Sequence, residues 1–172
     1  MDIRDATEAD LQEIQAIYAH HVLTGTGTFE EVPPTVEELA ARFREATGRG
    51  WVWLVATDAT GVLGYAYYSQ FRDRSAYRFA AENSIYIRED VRGQGVGKVL
   101  VSRLVEVAEA RGFRQMIAVI GDSENAGSIG VHASLGFRIV GTLHSAGIKF
   151  GRWIDVVFMQ RALGSGDADP SG

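Results

Sequence analysis

The chain has no cysteine, which excludes disulfide frameworks, zinc ribbons and a cysteine nucleophile. Any acyl transfer it performs must bypass a cysteine thioester. Prolines number 3 in 172 residues, and neither a linker nor an internal repeat interrupts the sequence. Basic charge is in deficit: 17 Lys and Arg against 22 Asp and Glu give −5, whereas nucleic-acid binders carry a basic excess. Long apolar runs are absent too. No stretch reaches the roughly 18 residues of a membrane span, and Met1 to Asp5 lacks the apolar core of a signal peptide. The expectation is therefore a cytoplasmic protein with no membrane or nucleic-acid partner. The 4 histidines fall at no metal-ligand spacing, so no metal is expected. What is present is an ordinary globular make-up, 46% hydrophobic and 23% charged. A single domain of this length buries roughly 70% of its unfolded surface without staples.

Hydrophobic periodicity alternates between helical and extended. Ile3 to Ala6 is a strand candidate, and Thr7 with Asp10 forms a variant capping box before a helix with Leu11, Ile14, Ile17 and Tyr18 on one face. Thr24 to Thr28, with two glycines, breaks it. A second box, Thr35 with Glu38, opens a helix that carries Leu39 and Phe43 and stops near Gly48. Trp51 to Thr57 and Val62 to Ser69 read as a hairpin. Gln70 to Ala81 reads as a loop and Asn83 to Ile87 as the next strand, followed by a helix from Val96 that ends at Gly112. Met116 to Ile120, Phe137 to Leu143 and Ile154 to about Gln160 complete the strands; Asn125 to Ser134 is a short helix, and His144 to Arg152 a glycine-punctuated loop. One α/β domain over 1–163 results. The small, polar tail 164–172 is expected to be disordered.

The strongest chemical signal is Arg92-Gly93-Gln94-Gly95-Val96-Gly97-Lys98, between a strand and an amphipathic helix. Glycines admit close backbone approach, and a helix N-terminus presents unpaired N–H groups to an anion. The dinucleotide fingerprint fails, because the glycines fall at 93, 95 and 97. The nucleotide-triphosphate loop fails as well: Gly93 and Gly97 are one residue too close, and Val99 stands where a hydroxyl would ligate magnesium. The pyrophosphate loop Arg/Gln-x-x-Gly-x-Gly/Ala of coenzyme A acetyltransferases fits. Arg88, Arg92, Lys98 and Arg103 form a local basic cluster suited to such a polyanion.

Together with Glu82 to Ile87, Ala118 to Ile120, Asn125, Val131 to Phe137, Gly147 to Trp153 and Asp155 to Phe158, this loop makes the chain resemble the GNAT superfamily of acetyl-CoA-dependent N-acetyltransferases. Within it, the resemblance is to the phosphinothricin and methionine sulfoximine acetyltransferase group, from near the start to about Leu163. It implies a mixed, splayed central β-sheet flanked by helices in a single domain. It also implies a bound acetyl-CoA whose pantetheine pairs with Ile85, Tyr86 and Ile87. The pyrophosphate would rest on Arg92, Gly93, Gln94, Gly95, Val96, Gly97 and Lys98, with Asn125 touching the same coenzyme. A homodimer is implied as well.

An α-amine with a pKa of about 8 must shed a proton before it attacks a thioester. Glu82, immediately before the strand proposed to carry the thioester, is the candidate base, and His132 is a candidate to polarise the carbonyl, hold Glu82 or position substrate. Arg72 and Arg74 can grip a substrate carboxylate. Phe29, Asp73, Tyr77, Asn83 and Ser84 are further candidates for the amine pocket, although any of these arginines could equally be a solvated loop charge. Lys149 and Trp153 fit a structural role, a dimer contact or a substrate contact. The function expected is direct transfer of acetyl to the α-amine of a small amino-acid analogue. The alternatives are a GNAT enzyme for another amine, such as a polyamine, aminoglycoside or protein N-terminus, and a non-catalytic acyl-CoA sensor.

Overall fold

A computed structural model describes residues 1–170. Seven strands form one sheet: β1 (Asp2–Asp5), β2 (Trp53–Asp58), β3 (Gly61–Gln70), β4 (Ala80–Ile87), β5 (Gln115–Gly121), β6 (Arg138–Lys149) and β7 (Arg152–Ala162). Helices α1 (Leu11–Thr24) and α2 (Val36–Gly48) cover one face, and α3 (Val96–Ala110) with α4 (Ala126–Ser134) lies on the other. The strand order is β1-β2-β3-β4-β5-β7-β6, and β4 with β5 is its parallel pair.

Both faces are buried, which explains why β2 reads as a continuous apolar run. Leu54 and Ala56 pack with Leu100 and Leu104 of α3, while Trp53 and Val55 pack with Ile14, Ile17, Leu39 and Phe43. The period of two along the strand sorts them. The Thr35 box closes as anticipated, with Glu38 N–H donating to the Thr35 hydroxyl at 3.1 Å and Thr35 N–H donating to Glu38 at 2.8 Å.

Three expectations need correction. Glu82 does not precede its strand; β4 begins at Ala80, so Glu82 lies within it. The segment from His144 to Arg152 is not a loop, because β6 runs through Lys149 and pairs with β7 down to Lys149↔Arg152, interrupted by register irregularities. The irregularities let a glycine-rich stretch stay in the ladder. The basic cluster also disperses: Arg88 pairs with Asp90 at 2.6 Å and Arg103 with Glu106 at 2.9 Å. Residues 164–167 form turns, and Arg114 donates to the carbonyls of Gly166 and Asp169. The remainder of the tail expected to be disordered, 171–172, lies outside the described residues.

At the start of α1, Arg4 donates to the Asp10 carboxylate at 2.7 and 2.8 Å, and Thr7 adds bonds from its N–H at 2.7 Å and its hydroxyl at 3.0 Å. The Arg4 bonds above all hold the Asp10 carboxyl down to about 2, against the opposing effect of burial. Its folded pKa lies below the unfolded value of about 3.9, so this stabilisation is complete above about pH 5 and disappears as pH falls through the folded value. Asp10→Asn should lower unfolding free energy by about 1–2 kcal/mol at neutral pH, because Arg4 is partly solvated. Acid titration of the variant should then show a flatter loss of stability between about pH 5 and 2; a curve parallel to the parent's would refute the assignment.

Candidate active site

Strands β4 and β5 pair only through Ala80–Asn83 against Gln115–Ala118 and then part. The direction of the freed backbone groups follows from alternation along β4. Arg88 N–H bonds to Leu63 carbonyl at 2.9 Å and Phe71 N–H to Ala80 carbonyl at 2.9 Å, both toward β3. Glu82, Ser84 and Tyr86 therefore turn their peptide groups to β3. Asn83, Ile85 and Ile87 turn theirs into the fork.

The fork opens into a groove of about 1090 Å³. Its walls are Ser84–Ile87 on one side and Ala118–Ile120 on the other, with the start of α3 and the α4 residues Val131 and His132 beneath, and 24–27 across the mouth. A strand-like ligand inserted here would find the N–H and carbonyl of Ile85 and the N–H of Ile87. The Ile87 carbonyl accepts a bond from His21 Nε2–H at 2.8 Å, so the proton of that ring sits on Nε2. Burial pushes the His21 pKa down, keeping it neutral.

At one end of the groove lies the glycine turn. Gly93 and Gly95 have φ of 76° and 85°, the left-handed region that admits glycine most readily. The first intrahelical bond is from Val99 N–H to Gly95 carbonyl, which leaves the N–H groups of Val96, Gly97 and Lys98 for an anion. Arg92, Gly93, Gly95, Val96, Gly97, Lys98 and Asn125 all line the groove. Gln94 does not; its amide donates back to the Asp90 carbonyl at 3.3 Å. Arg92 is held by Glu89 at 2.9 Å, and His20 stands 3.5 Å from the same carboxylate. Asn125 caps α4, accepting from Ser128 N–H at 3.2 Å.

Beneath the fork, His132 is 1% exposed. Its Nδ1 is 2.8 Å from the Ser128 carbonyl, which can only accept, so Nδ1 carries the proton and Nε2 takes a bond from the Asn83 amide at 3.1 Å. Burial lowers its pKa. The partner of His132 is thus Asn83, not Glu82, and both ring nitrogens are already engaged.

The last paired residues of the fork are Asn83 and Ala118, so Glu82 is one residue from the point where the strands part. It faces the α1 and α2 side, where burial pushes its carboxyl pKa up and Arg72, 3.5 Å away, opposes that rise. Arg72 also lies over the Phe71 ring at 4.1 Å. Asp73, Arg74 and Tyr77 are exposed and do not line the groove. Phe29 lies against Gly121 and Gly147: a Cβ on Gly147 would collide with its ring, and one on Gly121 would collide with the Thr26 carbonyl.

Of the groups that hold the mouth of the groove, sequence reasoning singles out Lys149, with a structural role among its readings, and misses Asp122. Lys149 is buried at 2% exposure, and its Nζ donates to the carbonyls of Gly25 at 2.7 Å and Thr28 at 2.9 Å. Asp122, with a positive φ of 79°, accepts from Thr26 at 2.8 Å and Arg152 at 2.7 Å. No periodicity marks such residues, since their partners lie far along the chain: the Gly25 carbonyl is 124 positions from Lys149, and the Thr26 hydroxyl and Arg152 guanidinium are 96 and 30 positions from Asp122. Among the described residues no cluster of three or more acids and histidines is placed to hold a metal, and no helix is long and apolar enough to cross a membrane.

Residues 3–158 match the family described as acetyltransferase (GNAT) domain. The chain is 51% identical over 165 residues to a phosphinothricin N-acetyltransferase of Alcaligenes faecalis, covering 96% of this chain and 84% of that one. It is 45% identical over 162 residues to an L-methionine sulfoximine/L-methionine sulfone acetyltransferase of Pseudomonas aeruginosa, covering 94% of each. Its fold superposes with a TM-score of 0.96 on the crystal structure of a phosphinothricin acetyltransferase from Sinorhizobium meliloti in complex with AcCoA. That relative is 50% identical, with 99% of this chain and 92% of that chain covered. A forked sheet with an open strand edge and an anion-binding glycine turn suits a pantetheine and a pyrophosphate, and the chain belongs to the GNAT family of acetyl-CoA-dependent N-acetyltransferases.

Proposed function

We propose that the protein transfers acetyl directly from acetyl-CoA to the α-amine of a small, carboxylate-bearing amino-acid analogue of the phosphinothricin, methionine sulfoximine or methionine sulfone type. The observation that carries this reading is Glu82, a partly buried carboxylate with raised pKa one residue from the fork and beside Arg72. Relatives that share about half their residues with this chain bear those substrates in their names.

Bound acetyl-CoA supplies an acetyl thioester. The freed peptide groups of Ile85 and Ile87 bind its pantetheine, and Val96, Gly97 and Lys98 present N–H groups to its pyrophosphate. Tyr86 turns its peptide group to β3 and packs its ring on Tyr18 and Tyr65, so it offers the pantetheine no backbone bond. Glu82 takes the proton that the substrate ammonium must lose, a role its raised pKa suits. Arg72, next to Glu82, holds the substrate carboxylate and orients the amine toward the fork. His132 acts through Asn83, fixing its amide below the reacting carbonyl. Arg72 favours a carboxylate-bearing substrate over a polyamine, which would call for acids at that position.

Glu82→Gln should reduce kcat on methionine sulfone or phosphinothricin by about 10²–10⁴-fold while acetyl-CoA still binds. In the parent, kcat/KM should fall on the acid side with an apparent pKa above the ordinary carboxylate range, because protonated Glu82 cannot serve as a base. That limb should vanish in the variant. Unchanged turnover across neutral pH would sink the reading, and acetyl-CoA binding without thiol release on any amine would favour a sensor.

The protein is also proposed to be a homodimer. Strand β6 closes one end of the sheet, and it exposes Ile139, Val140, Leu143 and Ile148, flanked by Phe150 and Trp153 at 56% and 65% exposure. A long apolar edge of this kind calls for a covering partner, and a second copy could supply the same edge. Ile139→Lys combined with Leu143→Lys should convert a dimer to a monomer in analytical ultracentrifugation; a parent that sediments as a monomer would refute the proposal.

A further inference from the structure

The phosphate end of the coenzyme groove carries a negative charge as well as positive ones. Arg92, the first residue of the glycine turn, and His20 of α1 both line the groove, and so does Glu89. One oxygen of that carboxylate, Oε2, accepts from Arg92 Nη1–H at 2.9 Å and stands 3.5 Å from His20 Nε2. All three side chains are at least 44% exposed, so a ligand in the groove reaches each of them.

The acetyl-transfer chemistry gives this carboxylate no task. A fixed negative charge opposes the binding of a polyanion beside it, and a site made only to hold phosphates would leave the acid out. A carboxylate oxygen on a guanidinium, however, has the same charge sign and accepts the same hydrogen bonds as a phosphate oxygen. Glu89 therefore takes the position of an anion at the phosphate end. Among the described residues Arg92 has no other side-chain hydrogen bond, so one exchange of partner frees the whole guanidinium.

The carboxylate has room to leave. Glu89 also lines a neighbouring hollow of about 350 Å³, which shares His20 and Ile87 with the groove, so its side chain can swing aside without disturbing the core. It does not settle there. Glu13 and Asp90 line the same hollow, two acids that repel a third. The cation in that hollow, Arg88, already gives two bonds to Asp90 and one each to the Val62 carbonyl and the Thr60 hydroxyl. Once displaced, Glu89 is driven back toward Arg92.

We propose that Glu89 is a built-in competitor for the coenzyme phosphates: it neutralises Arg92 in the free protein, gives way when the pyrophosphate arrives, and retakes Arg92 as coenzyme A leaves. The inference rests on the placement of the pyrophosphate given above and adds to it a residue that limits how tightly spent coenzyme is held. Acetyl-CoA and coenzyme A carry the same phosphates, so the competition weakens both alike and alters no step of the acyl transfer. Its effect is on exchange, since product release is a common limit on turnover.

The test is calorimetric binding of coenzyme A, with no amine present, to the parent, Glu89→Gln, Arg92→Gln and the double variant. Both residues are exposed, so the substitutions leave the packed core alone. At about 50 mM salt Glu89→Gln should lower the coenzyme A Kd about threefold to fivefold, and the gain should shrink below about twofold near 0.5 M salt. In the Arg92→Gln background the same change should move Kd by less than about twofold, because only repulsion through space remains. During turnover of acetyl-CoA with methionine sulfone, the inhibition constant of added coenzyme A should fall in Glu89→Gln by the same factor as Kd. Tightening of equal size in both backgrounds would mean that the effect does not pass through Arg92, and would overturn the proposal. An unchanged Kd in Glu89→Gln would overturn it too, as would a weaker one, which would make Glu89 a support for Arg92. Coenzyme A that binds to none of these proteins would instead overturn the placement of the pyrophosphate, and this inference with it.

Discussion

Everything in the site depends on the parting of β4 from β5. Parallel strands normally continue to pair until one ends, yet here pairing stops after Asn83 and Ala118 while both strands run on to Ile87 and Gly121. Peptide groups left unpaired inside a protein are costly, so a fork of this kind is stable only if something else bonds them. The chain takes one group itself, with His21 on the Ile87 carbonyl. The rest face the groove. The parting thus makes a sheet edge in the middle of a sheet, and an extended ligand is the natural partner for a sheet edge.

A fork needs walls that do not close on it. The connection after α1 crosses the mouth and is tied from the far end of the chain by Lys149 and Asp122. Burial pushes the Lys149 ammonium pKa down, and Glu31 and Glu30 push it back up. For Asp122 burial acts in the opposite sense, but bonds from Glu124 N–H, Thr26 and Arg152 outweigh it and hold the carboxyl below its usual range. Phe29 fills the space that Gly147 and Gly121 leave. The β6–β7 hairpin therefore carries the proposed dimer edge on one side and the fastening of the coenzyme groove on the other, which ties the assembly to the site through a few short bonds.

The helices and most strands were legible because each has a periodic apolar face and a local start signal, as with Thr35 and Glu38. The glycine turn was legible because its requirement is local: two left-handed residues at 93 and 95 ahead of a helix. What escaped is non-local. The long β6–β7 hairpin has Gly147 and Gly151 in or beside it, which read as loop punctuation, while the ladder tolerates them through irregular register. The basic cluster was read from proximity in sequence, but a helix and a turn send Arg88 and Arg103 to their own carboxylates and leave Arg92 and Lys98 in the groove. The second ring nitrogen of His132 found Asn83 because β4 alternation puts Asn83, and not Glu82, on the α4 side.

That alternation also explains why one short strand can serve two ligands. Odd positions of β4 send side chains toward α3 and α4 and peptide groups into the fork, where coenzyme binds in the proposed reaction. Even positions send side chains toward α1 and α2, where Glu82 meets Arg72. Acid–base chemistry and coenzyme binding are thereby adjacent yet on opposite sides of a single backbone, separated by one residue rather than by a loop. Register is what maintains the division. A one-residue slip of β4 against β3 would send Glu82 beneath the fork and Asn83 into the amine pocket, and the Tyr65 and Tyr86 rings, register partners on one face with centroids 5.4 Å apart, resist that slip.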